Sequence, residues 1–92
     1  MKQTAYYRTK DGKADDLFSF EKQTDGTWMA FILNQPSYGD RETDNHSTHR
    51  LQEDDRDYVC WTDPLETQEQ ARTVAALWAD ATQNYIKNGT KF

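Results

Sequence analysis

Cysteine is nearly absent from this sequence, and long apolar runs are absent altogether. The single cysteine, Cys60, excludes a disulfide within the chain and favours a reducing compartment. No apolar segment approaches the roughly 20 residues that a membrane-spanning helix needs. The first residues also lack the apolar segment of a secretory signal peptide. We therefore expect a cytoplasmic protein with no membrane partner.

Aliphatic side chains are few, and no low-complexity segment or internal repeat occurs. Aromatic side chains are numerous instead, with three Trp, five Tyr and four Phe. This content argues against a disordered chain and predicts a core built largely from aromatic rings. A length of 92 residues allows one modest core, so we expect residues 1–92 to form a single domain.

Acidic side chains outnumber basic ones, which gives a formal net charge of -5. The excess is concentrated in residues 53–69, which contain seven acidic side chains and one basic side chain, Arg56. This balance disfavours attraction to nucleic acid and is more compatible with a basic partner. The simpler interpretation is that the acids belong to solvated loops and to the start of a helix.

Residues 67–87 carry the strongest pattern in the chain and predict one amphipathic helix. Their apolar residues recur at spacings of three and four, which places them in one stripe of the helix surface. The stripe consists of Ala71, Val74, Trp78, Ala81 and Tyr85, with Ala75 and Thr82 beside it and Leu77 and Ile86 at its edges. Thr67 and Gln70 fit a capping box, and Asn88-Gly89 fits a left-handed stop. Trp78 is the predicted centre of the core.

Short strands are predicted before the helix, over residues 3–9, 17–23 and 27–34. Asp11-Gly12 and Asp25-Gly26 are the turn signals between them. If Asp25-Gly26 forms a two-residue turn, Phe20 lies opposite Phe31 and Phe18 lies opposite Leu33. The face that we expect to pack on the helix then carries Phe18, Phe20, Met29, Phe31 and Leu33.

A second hairpin is predicted from residues 46–52 and 57–62, which are joined across residues 53–56. This spacing pairs Leu51 with Tyr58 and His49 with Cys60. Either face of this hairpin could point to the core. We favour the face with Leu51, Tyr58 and Cys60 over the face with Val59 and Trp61. Residues 35–45 contain proline, glycine and several Asp or Asn residues, which predict an irregular loop.

The second face of the first three strands is not fully polar. A turn at Asp11-Gly12 brings Tyr6 opposite Leu17, and Trp28 and Ile32 are predicted to lie on the same face. Contiguous apolar surface of this kind marks an interaction or dimer surface unless the chain itself covers it. Tyr38 is the only bulky side chain of loop 35–45, either as a binding residue or as an anchor. The candidate interaction surface consists of Tyr6, Leu17, Trp28, Ile32 and Tyr38.

The sequence offers little for catalysis or metal binding. His46, His49 and Cys60 are the only soft metal-ligand candidates, but histidines three apart on a strand point to opposite faces. Cys60 opposite His49 is the one nucleophile–base arrangement, and a thiol between Val59 and Trp61 is typical of a packed strand. The four glycines are scattered at turns and form no phosphate-binding loop. We assign no catalytic residue, no metal site and no cofactor.

The predicted fold class is α+β: an antiparallel meander of four to five strands packed on one C-terminal amphipathic helix. We expect a non-enzymatic module that binds a protein partner, or a second copy of itself, through the outer sheet face. Two alternatives stay open. One is single-stranded nucleic-acid binding on a surface made of Tyr6, Arg8, Lys10 and Trp28. The other is an acidic DNA mimic that offers a basic partner Glu53, Asp54, Asp55, Asp57 and Asp63.

Overall fold

The computed structural model describes residues 2–34 and 36–92. Within these ranges the elements are β1 (Lys2–Arg8), β2 (Asp15–Lys22), β3 (Trp28–Ile32), α1 (Asn45–Thr48), β4 (Arg50–Glu53), β5 (Arg56–Val59) and α2 (Gln68–Asn88). The strands form one antiparallel sheet in the order β1-β2-β3-β5-β4, and α2 packs on one of its faces. The predicted α+β class is confirmed. The order departs from a simple meander because β5, not β4, lies beside β3.

The bounds of helix α2 agree with the predicted range 67–87 to within one residue, and both ends are capped as predicted. The Thr67 hydroxyl accepts a hydrogen bond from the Gln70 N–H at 3.1 Å, and the Gln70 side chain accepts one from the Glu66 N–H at 2.8 Å. Gly89 ends the helix in the left-handed region, with φ of 74°, and its N–H donates to the Tyr85 carbonyl. In the described part of the chain, no helix is both long and apolar enough to cross a membrane.

Trp78 lies in the contact between α2 and the sheet, as predicted. Its ring meets Phe18 edge-on, with ring centroids 6.0 Å apart and planes at 82°. Its indole N–H donates to the Thr48 carbonyl at 2.9 Å, which ties α2 to α1. Ala81, a member of the predicted stripe, is only half-buried. The buried face of α2 consists of Ala71, Val74, Ala75, Trp78, Ala79, Thr82 and Tyr85.

The turn between β2 and β3 is one residue longer than predicted. The Gln23 N–H donates to the Thr27 carbonyl at 2.7 Å and the Gly26 N–H donates to the Gln23 carbonyl at 3.0 Å, so residues 24–26 form a three-residue loop. Gly26 has a φ of 89°, and loops of this length need such a residue. The predicted two-residue turn is therefore wrong. In the observed register Phe20 lies opposite Ala30.

This register reverses the two faces of β3, because neighbouring residues on a strand point to opposite sides. The inner face carries Phe18, Phe20, Trp28, Ala30 and Ile32, which pack against α2. The outer face carries Met29, Phe31 and Leu33. Phe18 and Phe20 are buried as predicted. The predicted positions of Trp28 and Ile32 outside, and of Met29, Phe31 and Leu33 inside, are wrong.

The β4–β5 hairpin keeps the predicted pairing of Leu51 with Tyr58. Its turn consists of Asp54 and Asp55 alone, with φ values of 50° and 63°. The predicted choice of buried face is wrong. Val59 enters the core, whereas Tyr58 and Leu51 lie on the outer face of the sheet.

Residues 46–49, predicted as the start of a strand, lie in α1 and its C-terminal cap instead. Asp44 caps this short helix by accepting a hydrogen bond from the Ser47 N–H at 3.3 Å. His49 ends it with a φ of 53°. Asp, Asn and Ser side chains form local bonds to the backbone that compete with strand pairing, and this explains the difference.

Residues 36–44 form an irregular connection that lies against the end of α2. Tyr38 is buried there, with its ring centroid 6.1 Å from that of Tyr85 and 5.0 Å from the Arg50 guanidinium. The Tyr85 hydroxyl donates to the Glu42 carbonyl at 2.7 Å. Tyr38 therefore takes the second of its two predicted roles, that of a loop anchor. Gln35, the first residue of the predicted loop 35–45, lies outside the described residues.

We expect Trp78→Phe to lower the free energy of unfolding by about 2 kcal/mol, because it removes the bond to Thr48 and leaves space in the core. Urea unfolding followed by circular dichroism measures this change. The exposed neighbour provides a matched control, and Leu77→Ala should shift the free energy by less than about 0.5 kcal/mol. Equal stability of Trp78→Phe and the wild type would contradict the central position of Trp78.

Candidate functional site

The predicted interaction surface on the outer sheet face is only partly formed. Tyr6 lies opposite Leu17 as predicted, and Tyr6 is 71% exposed. The Leu33 N–H donates to the Leu17 carbonyl, so Tyr6, Leu17 and Leu33 are aligned across three neighbouring chain segments. We call these three residues the Tyr6 row. The other predicted members of the surface are buried and closed to a partner: Trp28, Ile32 and Tyr38.

Side chains of the sheet itself cover the centre of the outer face. Phe31 is only 1% exposed, although it points away from α2. The Arg56 guanidinium lies 3.7 Å from the Phe31 ring centroid, and Tyr58 packs edge-on against the same ring. Glu21 holds Arg56 in place through two hydrogen bonds of 2.6 and 3.2 Å, which lower the pKa of Glu21. The centre of this face is therefore self-covered.

A second apolar surface lies where the segment after β5 meets α2. Trp61 is 47% exposed, Leu77 is 54% exposed and Phe92 is 40% exposed. All three border one groove of about 420 Å³, whose lining also includes Val59, Cys60, Trp78, Ala81 and His49. We call this part the apolar arm.

A second hollow, which shares Trp61 and Leu77 with the first, lies towards the start of α2. This second part has a volume of about 590 Å³, and its lining includes two carboxylates, Asp63 and Glu69. Thr67, Gln70 and Thr73 add further polar groups to it. We call this part the acidic arm, and the two arms together the Trp61 groove.

Backbone hydrogen bonds hold the walls of the Trp61 groove. The Trp28 N–H donates to the Leu65 carbonyl at 2.7 Å and joins the segment before α2 to the start of β3. The Cys60 N–H donates to the His49 carbonyl at 2.9 Å and extends the β4–β5 pairing by one step. Because these bonds belong to the fold itself, the two walls that they hold are preformed, as the walls of most ligand pockets are.

His49, Cys60 and Phe92 lie together in the apolar arm. The His49 ring is 4.5 Å from the Phe92 ring and 6.4 Å from the His46 ring, measured between centroids. The two histidines therefore do not point to opposite faces as predicted, because His46 lies in α1 and not on a strand. Across residues 2–34 and 36–92, no group of three or more His, Cys, Asp or Glu side chains is arranged to hold a metal ion.

The sequence pattern does not reveal the Trp61 groove, because its members come from distant parts of the chain. Two signals are nevertheless present. Leu77 lies at the edge of the helix stripe, and Trp61 follows β5 without a place in the favoured core face. Large apolar side chains that remain outside the predicted core are candidates for a surface site.

Asp16 is a buried carboxyl on the inner face of β2, opposite Tyr7. Burial, together with the nearby charges of Asp15 and Asp80, raises the pKa of Asp16 to about 6. The Tyr7 hydroxyl donates to Asp80 at 2.6 Å and leaves Asp16 without that donor. Asp16 does not line the Trp61 groove. We therefore expect its charge to affect the stability of the fold and not binding in the groove.

Comparison with known proteins assigns no family to this chain. No protein-family model matches it, and neither a curated protein nor a solved structure matches it. The candidate site is therefore defined by its geometry.

We expect the protein to become more stable as Asp16 is protonated. Its pKa is higher in the folded state, about 6, than the usual 3.8, so the folded state binds the proton more tightly. This stabilisation is complete below the unfolded pKa and is lost as the pH rises through the folded pKa. Asp16→Asn should therefore raise the free energy of unfolding at pH ~7.5 by about 1–3 kcal/mol and have little effect at pH ~4.

Urea unfolding at the two pH values measures this effect. Asp40→Asn is the matched control, because Asp40 is exposed and its charge is not among those that raise the pKa of Asp16. A substitution at such a surface position usually changes the free energy of unfolding by less than about 0.5 kcal/mol. A loss of stability in Asp16→Asn that is equal at both pH values would contradict this prediction, because it would show that the Asp16 side chain makes a favourable contact in either protonation state.

Proposed function

We propose that this protein is a small non-enzymatic module that binds another protein through the Trp61 groove. The observation that carries the proposal is that Trp61, Leu77 and Phe92, each at least 40% exposed, border the same groove. Apolar residues scattered singly over a surface need no explanation, but a contiguous set is typical of protein-binding sites.

An apolar side chain of the partner is the natural occupant of the apolar arm. Burial of a Leu- or Phe-sized side chain is worth about 1.5–3 kcal/mol. Tryptophan is also among the residues that contribute most at protein interfaces. Backbone hydrogen bonds of Leu65 and Cys60 hold the groove walls. These walls therefore lose little conformational entropy on binding.

The contacts of His49 and Cys60 support a binding role more than a catalytic one. A catalytic thiol needs an imidazole within hydrogen-bond reach and a third group that orients the imidazole. The His49 ring instead packs against Phe92, and the half-buried Cys60 continues the strand pairing of β5. The absence of enzyme activity and the cytoplasmic location remain predictions.

Self-association through the outer sheet face is the second candidate. The exposure of the Tyr6 row favours it, with Tyr6 at 71% and Leu33 at 43%. The apolar area is smaller than the sequence suggests, because Trp28 and Ile32 are in the core and Arg56 covers Phe31. We therefore rank this surface below the Trp61 groove.

The two remaining alternatives receive less support. A nucleic-acid surface on the sheet loses Trp28, which is buried, and its Arg8 pairs with Asp15. A DNA mimic needs a dense array of carboxylates. Here Asp57 lies in β5, 4.0 Å from Arg50, whereas Asp63 lies in the segment between β5 and α2.

Short random peptides displayed on phage and selected against the immobilised protein test the proposal. We expect the selected peptides to share a large apolar residue. Trp61→Ser should weaken their binding by at least about tenfold, because a central Trp anchor contributes more than about 1.4 kcal/mol. Tyr6→Ser replaces an aromatic on the outer face that is more exposed than Trp61, and it should leave the affinity unchanged.

Peptides that bind Trp61→Ser as tightly as the wild type would contradict the proposal, provided that circular dichroism shows the variant to be folded. Light scattering over a concentration series tests the second candidate. We expect a monomer. A dimer that Tyr6→Ser dissociates would assign self-association to the Tyr6 row, and a dimer that Trp61→Ser dissociates would make a second copy the occupant of the groove.

A further inference from the structure

The two arms of the Trp61 groove differ in charge, although both are bordered by Trp61 and Leu77. Asp63 and Glu69 line the acidic arm. The apolar arm contains no carboxylate in its lining among the described residues and ends at Phe92. An occupant that fills both arms therefore meets apolar surface at one end and negative charge at the other.

The two arginines closest in sequence to the acidic arm are turned to other contacts. Arg72 follows Glu69 by three residues, but its guanidinium lies over the Phe20 ring, at 4.9 Å from the centroid, on the flank of α2 that faces β2. Arg56 is bound to Glu21 on the outer sheet face. Neither cation neutralises the carboxylates of the acidic arm.

Helix stabilisation explains only part of this negative charge. Glu69 lies in the first turn of α2, where the positive end of the helix dipole favours an acid. Asp63 lies four residues before the cap Thr67 and outside the helix, and the dipole effect is confined to the first turn. The position of Asp63 on the groove wall is therefore not required by the helix.

We propose that the Trp61 groove recognises a basic amphipathic segment of a partner protein. This inference rests on the proposed function and names the chemistry of the partner. A large apolar side chain of the segment occupies the apolar arm, and a Lys or Arg beside it faces Asp63 and Glu69. Trp61 lies between the arms, where its ring can contact both the apolar side chain and the cation.

Charge also selects against other classes of partner. Phosphate groups of nucleic acids and anionic lipids are repelled by the carboxylates of the acidic arm and by the net charge of -5. An acidic peptide is repelled in the same way. A neutral apolar peptide makes favourable contacts with the apolar arm only. Complementary charge at the rim of an interface adds specificity and speeds association, and salt weakens both effects.

Charge-neutral variants of the acidic arm test the inference with the peptides selected on the wild type. We expect these peptides to carry Lys or Arg beside the apolar residue. The double variant Asp63→Asn with Glu69→Gln should weaken their binding by about three- to tenfold. An increase of NaCl from about 0.05 M to about 0.5 M should weaken binding to the wild type and have less effect on the double variant.

The matched control is the double variant Asp54→Asn with Asp55→Asn, which removes the same charge from the β4–β5 turn. Asn tolerates the left-handed backbone of both positions, so the turn should be kept. Affinity within about twofold of the wild type is expected, since neither residue lines the Trp61 groove and salt screens exposed charges. An equal loss in both double variants would mean that net charge, and not the acidic arm, is recognised, and would overturn the inference.

Two further outcomes separate this inference from the proposed function. Selected peptides that are apolar without basic residues, and that lose affinity with Trp61→Ser, would overturn the inference and leave the proposed function standing. Peptides that are indifferent to Trp61→Ser would overturn both. A single-stranded oligonucleotide that binds the wild type directly and loses affinity with Trp61→Ser would also overturn the inference, because it would show that the groove accepts phosphate.

Discussion

The hydrogen bonds of the three-residue turn at residues 24–26 set the register on which the contacts of β3 depend. A turn shorter by one residue would place Phe31 towards α2 and expose Trp28, since the side-chain period of a strand is two residues. With Gly26 in the left-handed region, the longer turn closes without strain. The turn therefore decides which aromatic residues pack against α2 and which must be shielded from solvent by other side chains.

Phe31 is the residue that other side chains must shield from solvent. It lies on the face that α2 does not reach, yet the stacked Arg56 and the neighbouring Tyr58 shield it. Two hydrogen bonds from Arg56 to Glu21 connect β5 to β2 across the intervening strand. The outer face thus carries a small aromatic layer closed by an ion pair, whereas Trp61, Leu77 and Phe92 stay exposed beside α2.

The sequence is sufficient to predict the features that depend on local patterns. The capped helix, the pairing of Tyr6 with Leu17 and the pairing of Leu51 with Tyr58 follow from periodicity and loop length. The β3 faces do not, because Asp-Gly is compatible with turns of two or three residues. The groove is also beyond prediction, since Trp61, Leu77 and Phe92 become neighbours only when α2 has docked on the sheet.

The hydrogen bond from the Trp28 N–H to the Leu65 carbonyl has a consequence for the kinetics of recognition. It fixes one wall of the Trp61 groove to the first residue of a central strand, so the wall cannot open unless the strand frays. At this wall a partner therefore encounters a surface that already has its bound shape, and association requires no rearrangement of the wall. Partners of different affinity should then differ chiefly in their residence time on the groove. Residence time depends on how well each partner fits the fixed wall.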